Sequence, residues 1–350
     1  YNIASMPAIT LDTLSSFEGV ETRGISIVNH QSLYFGEEQS NTWKIFDVYK
    51  NFKNPLKLVI EVFKAEYYLC KGIAWADFII WQWDTRIYLP HFWFLKFSNK
   101  PKLIEWLGSD IRIPEVVMSF NPYYKREVEN GTYSYNFESK SRSNRIQRKF
   151  KYINAIPFLC PEMTLFLNKD IFPKYYTTFQ RINLSNYIPK YPSPLMKKVT
   201  IVHTPSATGA KGTKYVRLVI SKLKLDFDIE YIEVHNKSHK EAIDAISKAD
   251  LYLDQFIAGS YGMATCEALA LGKPVLCYLM QPVVEILPED LPILNTNIDT
   301  LETNIKYFLL NPEKRNEVGI MSRKYAEKYH DSKVLTYGLF KLIQNLILLR

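Results

Sequence analysis

The chain has 350 residues, 47% hydrophobic and 14% aromatic, with a formal net charge of +8. This composition excludes a disordered chain, and the length fits about two domains. No apolar stretch reaches the ~18 residues that span a bilayer, and the opening YNIASMPAITLDTL lacks the basic and apolar regions of a secretory signal.

Cys70, Cys160, Cys266 and Cys277 are widely spaced and show no metal-ligand pattern, so they read as buried thiols in a reducing, cytoplasmic compartment. The sequons at Asn130, Asn183 and Asn236 read as chance in a chain rich in Asn and Ser. The positive charge points to an anionic partner such as a phosphorylated ligand or a membrane surface. Nucleic acid is not expected, because no RNA- or DNA-binding motif accompanies the charge.

The elements alternate strand and helix in chain order. YNI, ASMP, AITLDTLSSFEG and GISIVNH read as strand, turn, helix and strand, the interior of a βαβ unit whose first strand is partly missing. LKLVIEVFKAEYYLCKG (56–72) has a helical pattern. ADFIIWQW (76–83) and PKLIEWL (101–107) are apolar on both faces, as strands of a parallel sheet are. SKSRSNRIQRKFK (139–151) contains no acid, and Arg142, Arg145 and Arg148 would share a helical face. That face is either solvated or in contact with a lipid headgroup or another polyanion. KYINAIPFLC returns to a strand pattern, and NYIPKYPSPLMKK (186–198), with three prolines, reads as a linker.

After the linker the alternation restarts. VTIVHTP is a strand, GTKYVRLVISKLK a helix, FDIEYIEV a strand, SHKEAIDAISKA a helix, DLYLDQF a strand and KPVLCYL a further strand. NPEKRNEVGIMSRKYAEKYH is an amphipathic helix in the tail. The expected architecture is α/β: two doubly wound, Rossmann-like domains facing a cleft. Residues 1–187 form the first domain, 188–198 the Pro-rich linker and 199–350 the second domain with a helical tail.

Three stretches carry chemistry. In GSYGMATCEALALGKPV (259–275), Gly262 permits close backbone approach, and the N–H groups near Met263 and Ala264 would favour a phosphate. Glu267, one turn in, either accepts from the vicinal hydroxyls of a ribose or merely interacts with the helix dipole. In HTPSATGAKGTKY (203–215), Lys211 precedes a helix start and reads either as a diphosphate ligand or as a surface lysine at a turn. In EWLGSDIR (105–112), Asp110 is either a helix N-cap or a residue facing an acceptor. His30, at a strand end, is either structural or part of the cleft. DFD (226–228) precedes a strand, the wrong end of a sheet for a metal site, and no His, Cys and Asp cluster suggests a metal elsewhere. The absence of a P-loop and of G-x-G-x-x-G argues against an NTPase or a dehydrogenase.

Taken together, KGT in the second half, ADLYLDQ and GSYGMATCEALALGKPV beyond it, and GSD in the first half resemble the GT-B glycosyltransferases. The likeness is to the retaining, nucleotide-sugar-dependent, group 1 or family 4-like kind that builds surface polysaccharides. It covers most of the chain and is most specific over Glu267–Pro274. It implies transfer of a sugar from a nucleotide-diphosphate donor to a glycan or lipid-linked acceptor, independent of metal and of any other cofactor. The enzyme would be cytoplasmic, with a peripheral contact at the inner face of the membrane. The resemblance implies that Lys211 holds the diphosphate, Glu267 the ribose, and Gly262 and Met263 the phosphate or sugar. The full donor-side set is Ser206, Lys211, Gly259, Ser260, Tyr261, Gly262, Met263 and Glu267. Lys211 and Asp110 are the catalytic candidates, and His30 and Arg112 lie on the acceptor side. Three positions depart from the family pattern: Gly259 where a second Glu is usual, Leu107 for a His, and Pro205 near an Arg. These departures define an alternative, a catalytically inactive module that binds a nucleotide sugar or scaffolds a partner.

Overall fold

A computed structural model describes residues 5–26, 43–46, 54–82, 91–133, 137–195 and 198–349. The chain begins with α1 (Ser5–Ser15), β1 (Gly24–Ser26), β2 (Trp43–Ile45), α2 (Pro55–Trp75), β3 (Ile79–Gln82), α3 (His91–Phe97) and β4 (Lys102–Glu105). Then come α4 (Pro114–Phe120), α5 (Pro122–Glu129), α6 (Lys140–Tyr152), β5 (Ala155–Leu159) and β6 (Tyr176–Thr177). Next are β7 (Val199–His203), α7 (Thr208–Lys211), α8 (Thr213–Leu223), β8 (Ile229–Glu233), α9 (His239–Lys248), β9 (Leu251–Leu253) and α10 (Met263–Ala270). The last are β10 (Val275–Cys277), α11 (Gln281–Val284), β11 (Leu294–Asn295), α12 (Leu301–Leu310), α13 (Pro312–Tyr329) and α14 (Ser332–Leu348). The expected strand YNI lies outside the described residues.

The chain divides into two compact units. The first gathers Tyr1–Arg112, Ser139–Arg181 and Ser332–Arg350; the second gathers Ile113–Glu138 and Ile182–Asp331. In the first unit, β3, β4, β5 and β6 form an all-parallel sheet in that order. A separate parallel pair joins β1 and β2. All four residues of β4 are buried, which explains why its sequence shows no polar alternation. Leu103 of β4 and Phe158 of β5 share a core with Leu14 of α1 and with Leu339, Ile343 and Leu346 of α14. α2 starts where Asn54 caps Lys57 N (3.1 Å) and Pro55 takes the first helical position.

In the second unit the sheet order is β8-β7-β9-β10-β11, again all parallel. Ile201, Leu251, Leu253 and Leu276 of the strands pack with Val216 and Ile220 of α8 and with Ile305 and Phe308 of α12. Each such side chain contributes roughly 1.5–3 kcal/mol when fully buried, against about 0–1 kcal/mol for an exposed ion pair. The apolar layers therefore hold this unit together, and the surface pairs are secondary. Ser238 and Glu241 close a capping box that starts α9.

The Pro-rich stretch runs along the second unit. Lys190 N donates to Leu271 O (3.0 Å), and Asn316 Nδ2 donates to Pro192 O (2.9 Å). Arg323 donates to both Tyr187 O (2.7 Å) and Ala270 O (2.9 Å). The chain passes from the first unit to the second at 112–113 and again at 181–182, the second passage just ahead of this stretch.

Candidate functional site

Numbered along the chain, the five strands of the second sheet stand in the order 2-1-3-4-5, so the winding reverses between β7 and β9. In open parallel sheets a ligand crevice lies beyond the carboxyl ends of the strands at such a reversal. His203 ends β7 and pairs in register with Leu253, which ends β9. The segments that follow, 204–212 and 254–262, therefore carry the candidate site.

His203 is wholly buried. The Leu253 carbonyl, 2.9 Å away, can only accept, so His203 Nδ1 carries the proton. Nε2 then accepts from the Thr213 hydroxyl at 2.9 Å. Burial pushes the ring's pKa down to about 4, and the nearby Lys211 charge acts in the same direction. The ring is thus a neutral strut between β9 and the start of α8. Beyond it, the Thr204 hydroxyl meets Tyr252 Oη (2.7 Å), His235 Nδ1 donates to Pro205 O (2.7 Å), and Ser206 is exposed.

Lys211 ends α7, and Gly212, with φ of +73°, turns the chain into α8. A Cβ at Gly212 would stand 3.2 Å from Ile257 and 3.4 Å from Phe256, so glycine serves both the turn and the close packing. Lys211 Nζ is ion-paired with Asp254 Oδ1. The other oxygen of Asp254 accepts from Thr265 Oγ1 (2.6 Å), in the first turn of α10. Cys277 Sγ also lies 3.9 Å from that oxygen, and burial raises its thiol well above the ordinary range, so it stays protonated. One buried carboxylate thus joins α7, β9 and α10.

The turn between β9 and α10 is equally constrained. Gly259 has φ of +79°, and its carbonyl accepts from Met280 N (2.9 Å). A Cβ there would come within 2.7 Å of Asn121 Nδ2 and 3.3 Å of Met280. Asn121 is fixed in place: Nδ2 donates to Ile257 O (2.8 Å) and Oδ1 caps α5 through Tyr124 N (2.9 Å). A side chain at the place where the resembled family carries a Glu would therefore have to displace Asn121 and Met280 here. The Ser260 carbonyl accepts from Gln255 Nε2 and Cys277 Sγ, and Tyr261 is buried with its hydroxyl 3.5 Å from His330 Nε2.

Gly262 heads α10, and a Cβ there would meet nothing within 4 Å, so the backbone before Met263 faces open space. Gly262 O takes the N–H groups of Thr265 (3.0 Å) and Cys266 (3.2 Å), which leaves those of Met263 and Ala264 leading the helix. Glu267 is 5% exposed, and its Oε1 accepts from Tyr187 Oη (3.1 Å) and His239 Nε2 (2.7 Å). The hydrogen bond to Glu267 raises the His239 pKa, outweighing partial burial. In this structure Glu267 is thus held by two side chains, beyond any dipole effect.

In the first unit, Asp110 is wholly buried after β4. Its carboxylate accepts from Leu107 N (3.0 Å), Gly108 N (2.9 Å) and Ile111 N (3.1 Å). Burial pushes its pKa up to about 6, against the pull of those N–H groups. The N-cap expectation for Asp110 is corrected: α4 begins at Pro114 with Ile113 as its cap, and Asp110 closes its own turn. Arg142 NH1 donates to Ser109 O and Asp110 O, each at 2.9 Å, which removes it from the expected basic face and leaves Arg145 and Arg148 exposed. Arg112 is partly buried near Glu162; burial raises that carboxyl to about 7, and the Arg112 charge opposes the rise. His30 lies outside the described residues. Among the described residues no group of three or more His, Cys, Asp or Glu could hold a metal ion. Asp226 and Asp228 are exposed ahead of β8.

Sequence reasoning missed Asp254, Asn121, His239 and Tyr187. Asp254 left one trace, a lone carboxylate directly after an apolar strand. Asn121 left another, an Asn-Pro at a helix start. His239 and Tyr187 left none, because only the packing brings them to Glu267.

No protein-family model matches the chain, and no curated protein matches it in sequence. Solved structures do match. Sucrose-phosphate synthase from Thermosynechococcus elongatus aligns with a TM-score of 0.59 and 13% identity, over 89% of this chain and 86% of that one. HepE of Anabaena, in complex with UDP and glucose, aligns at 0.58 and 12%, over 86% of each chain. WaaG, a glycosyltransferase involved in lipopolysaccharide biosynthesis, aligns at 0.56 and 13%, over 96% and 94%. At such identities the likeness is one of fold, and the chain has the GT-B fold of these glycosyltransferases.

Proposed function

We propose that the chain is a glycosyltransferase that moves a sugar from a nucleotide-diphosphate donor to a glycan or lipid-linked acceptor, with retention, in surface-polysaccharide assembly. The observation that carries this reading is Asp254 holding Lys211 and the first turn of α10 together where the sheet reverses. A diphosphate leaving group would meet an ammonium and the leading N–H groups of a helix there, so charge developing on it is stabilised without a metal. A similarly folded protein bound to UDP and glucose supports a nucleotide sugar as donor. Glu267, next to the same helix start, is assigned to the ribose. We place the enzyme in the cytoplasm, with a peripheral contact at an anionic membrane. Arg145 and Arg148 on α6 and the net charge of +8 support that contact.

The test is incubation with UDP-, GDP-, ADP- and CMP-sugars, reading thermal shift and nucleotide release. A donor at about 100 times its dissociation constant adds roughly 2.7 kcal/mol of stability. The second reading, an inactive nucleotide-sugar-binding module, is favoured by Gly259, where Asn121 fills the place of a side chain. It predicts a thermal shift with no release in the presence of any acceptor. No shift with any nucleotide sugar would refute both.

A further inference from the structure

α2 presents a bare apolar stripe to solvent. Leu56, Val59, Ile60, Phe63 and Tyr67 are 73%, 49%, 46%, 71% and 61% exposed. Their spacing of three, one, three and four residues puts them on one face of the helix. Lys57, Lys64 and Lys71 follow at steps of seven and form an exposed row along one edge of that stripe. The two acids of α2 are both engaged. Glu61 pairs with Lys64 (3.3 Å), and Glu66 is buried, with its carboxylate 2.7 Å from His91 Nδ1. That second contact ties α2 to α3, which exposes Trp93, Phe94 and Phe97, with the rings of Trp93 and Phe97 stacked at 5.5 Å.

We infer that this face of α2 docks on an anionic lipid bilayer, lying flat with the stripe in the interface and the lysine row against the headgroups. The inference deepens the membrane contact proposed above and rests on it, but names a different element from α6. Two observations select the occupant. Aliphatic and aromatic side chains edged by lysine, with no free carboxylate on the helix, match the chemistry of an anionic interface, where stems and rings enter the acyl boundary and ammonium groups stay at the phosphates. Second, the stripe runs from Leu56 to Tyr67, about 17 Å along the helix, and the lysine row from Lys57 to Lys71, about 21 Å, an extent that a planar surface covers at once. No helix among the described residues is long and apolar enough to cross a membrane.

The experiment is co-sedimentation of the full chain with vesicles of phosphatidylcholine alone or mixed with phosphatidylglycerol. Three variants are compared: Leu56→Ser with Phe63→Ser, Lys57→Glu with Lys64→Glu and Lys71→Glu, and, on α6, Arg145→Glu with Arg148→Glu. All of these positions are exposed, and equal melting midpoints confirm folding. In parallel, amine labelling of the wild-type chain reads Lys57, Lys64 and Lys71 against Lys222 of α8. Binding is expected only to the anionic vesicles. It should fall at least about tenfold for the serine pair and roughly a hundredfold for the three charge reversals. The three α2 lysines should be shielded by anionic vesicles while Lys222 stays reactive. Binding that survives both α2 variants but is lost with the α6 pair overturns the docking of α2 and leaves the membrane contact standing. No binding to anionic vesicles at low salt overturns both. α2 lysines already unreactive without lipid show a face covered by the chain itself. Self-association that the α2 variants abolish, without vesicle binding, assigns the face to a second copy. Either result overturns the inference.

Discussion

Lys211 and Asp254 form an ion pair in which the aspartate is wholly buried and the lysine 12% exposed. Asp254 also takes the Thr265 hydroxyl, so the ammonium is positioned by the sheet before any ligand arrives. A buried carboxylate without a cation costs several kcal/mol, so the pair is held tightly in the ligand-free chain. A diphosphate would share the ammonium with Asp254. That weakens the attraction for the bound donor but leaves the geometry ready for the larger charge of the departing group.

Lys211→Ala should therefore do two separable things. It should destabilise the protein by about 3–5 kcal/mol, because Asp254 is left buried and unpaired. It should also lower turnover by roughly 10²–10³, the usual cost of removing one such electrostatic contact. Adding Asp254→Asn should restore most of the stability and none of the turnover. Thermal unfolding and single-turnover rates at saturating donor separate the two. Turnover regained in the double variant would show that Lys211 serves only to neutralise Asp254.

Gly259 is predicted to resist restoration of a side chain. Gly259→Ala should cost about 1–2 kcal/mol from its positive φ alone, and more from the approach of Cβ to Asn121 Nδ2. Asn121→Ala removes a helix cap worth about 1 kcal/mol and opens the space. The two substitutions should consequently cost less together than their sum, in a denaturant double-mutant cycle. Strict additivity would show that Asn121 does not crowd the turn.

The fold was legible because the central strands β9 and β10 are buried along their whole length and read as apolar runs, and because VTIVH of β7 differs from LKLVIEV of α2 in period as well as composition. The turn around Gly259 and the approach of Lys211-Gly212 to a helix start were legible for a related reason, since a positive φ demands glycine. What remained hidden depends on long-range packing. His239 and Tyr187 stand 28 and 80 positions from Glu267 and reach it only once α9 and the Pro-rich stretch are packed beside α10. The cap reading of Asp110, one of the two that the sequence left open, fails because an aspartate after Gly-Ser serves equally well a helix start or its own turn, and the helix here begins only at Pro114.

The His239–Glu267 pair predicts a pH dependence. The folded pKa of His239 lies above its ordinary value. The stability from this pair is thus fully present below about pH 6.5 and is lost as pH rises through the raised folded value. A ribose that donates to Glu267 competes with the charged ring, so donor affinity should increase over the same rise. Calorimetric titration of the nucleotide from pH 6 to 8.5 should show that increase, and His239→Ala should flatten it. An equal slope in the variant would place the titrating group elsewhere.

Asp110 decides between a structural and a catalytic carboxylate in the first unit. Its folded pKa of about 6 exceeds the unfolded value of about 3.9. Between those values the folded protein holds more protons than the unfolded chain, so stability should fall as pH rises from about 4 to 6 and level off above. Two pKa units correspond to about 3 kcal/mol, an upper size for the effect. Asp110→Asn keeps the shape, removes the charge and abolishes this slope. It also leaves at least one of the three turn N–H groups facing an amide nitrogen, at a cost of about 1–3 kcal/mol. If the carboxylate holds only the turn, the folded fraction of Asp110→Asn should turn over donor at nearly the wild-type rate. A drop of roughly 10²–10⁴, the span of general acid–base catalysis, in a protein that melts normally would instead place Asp110 at the reacting atoms.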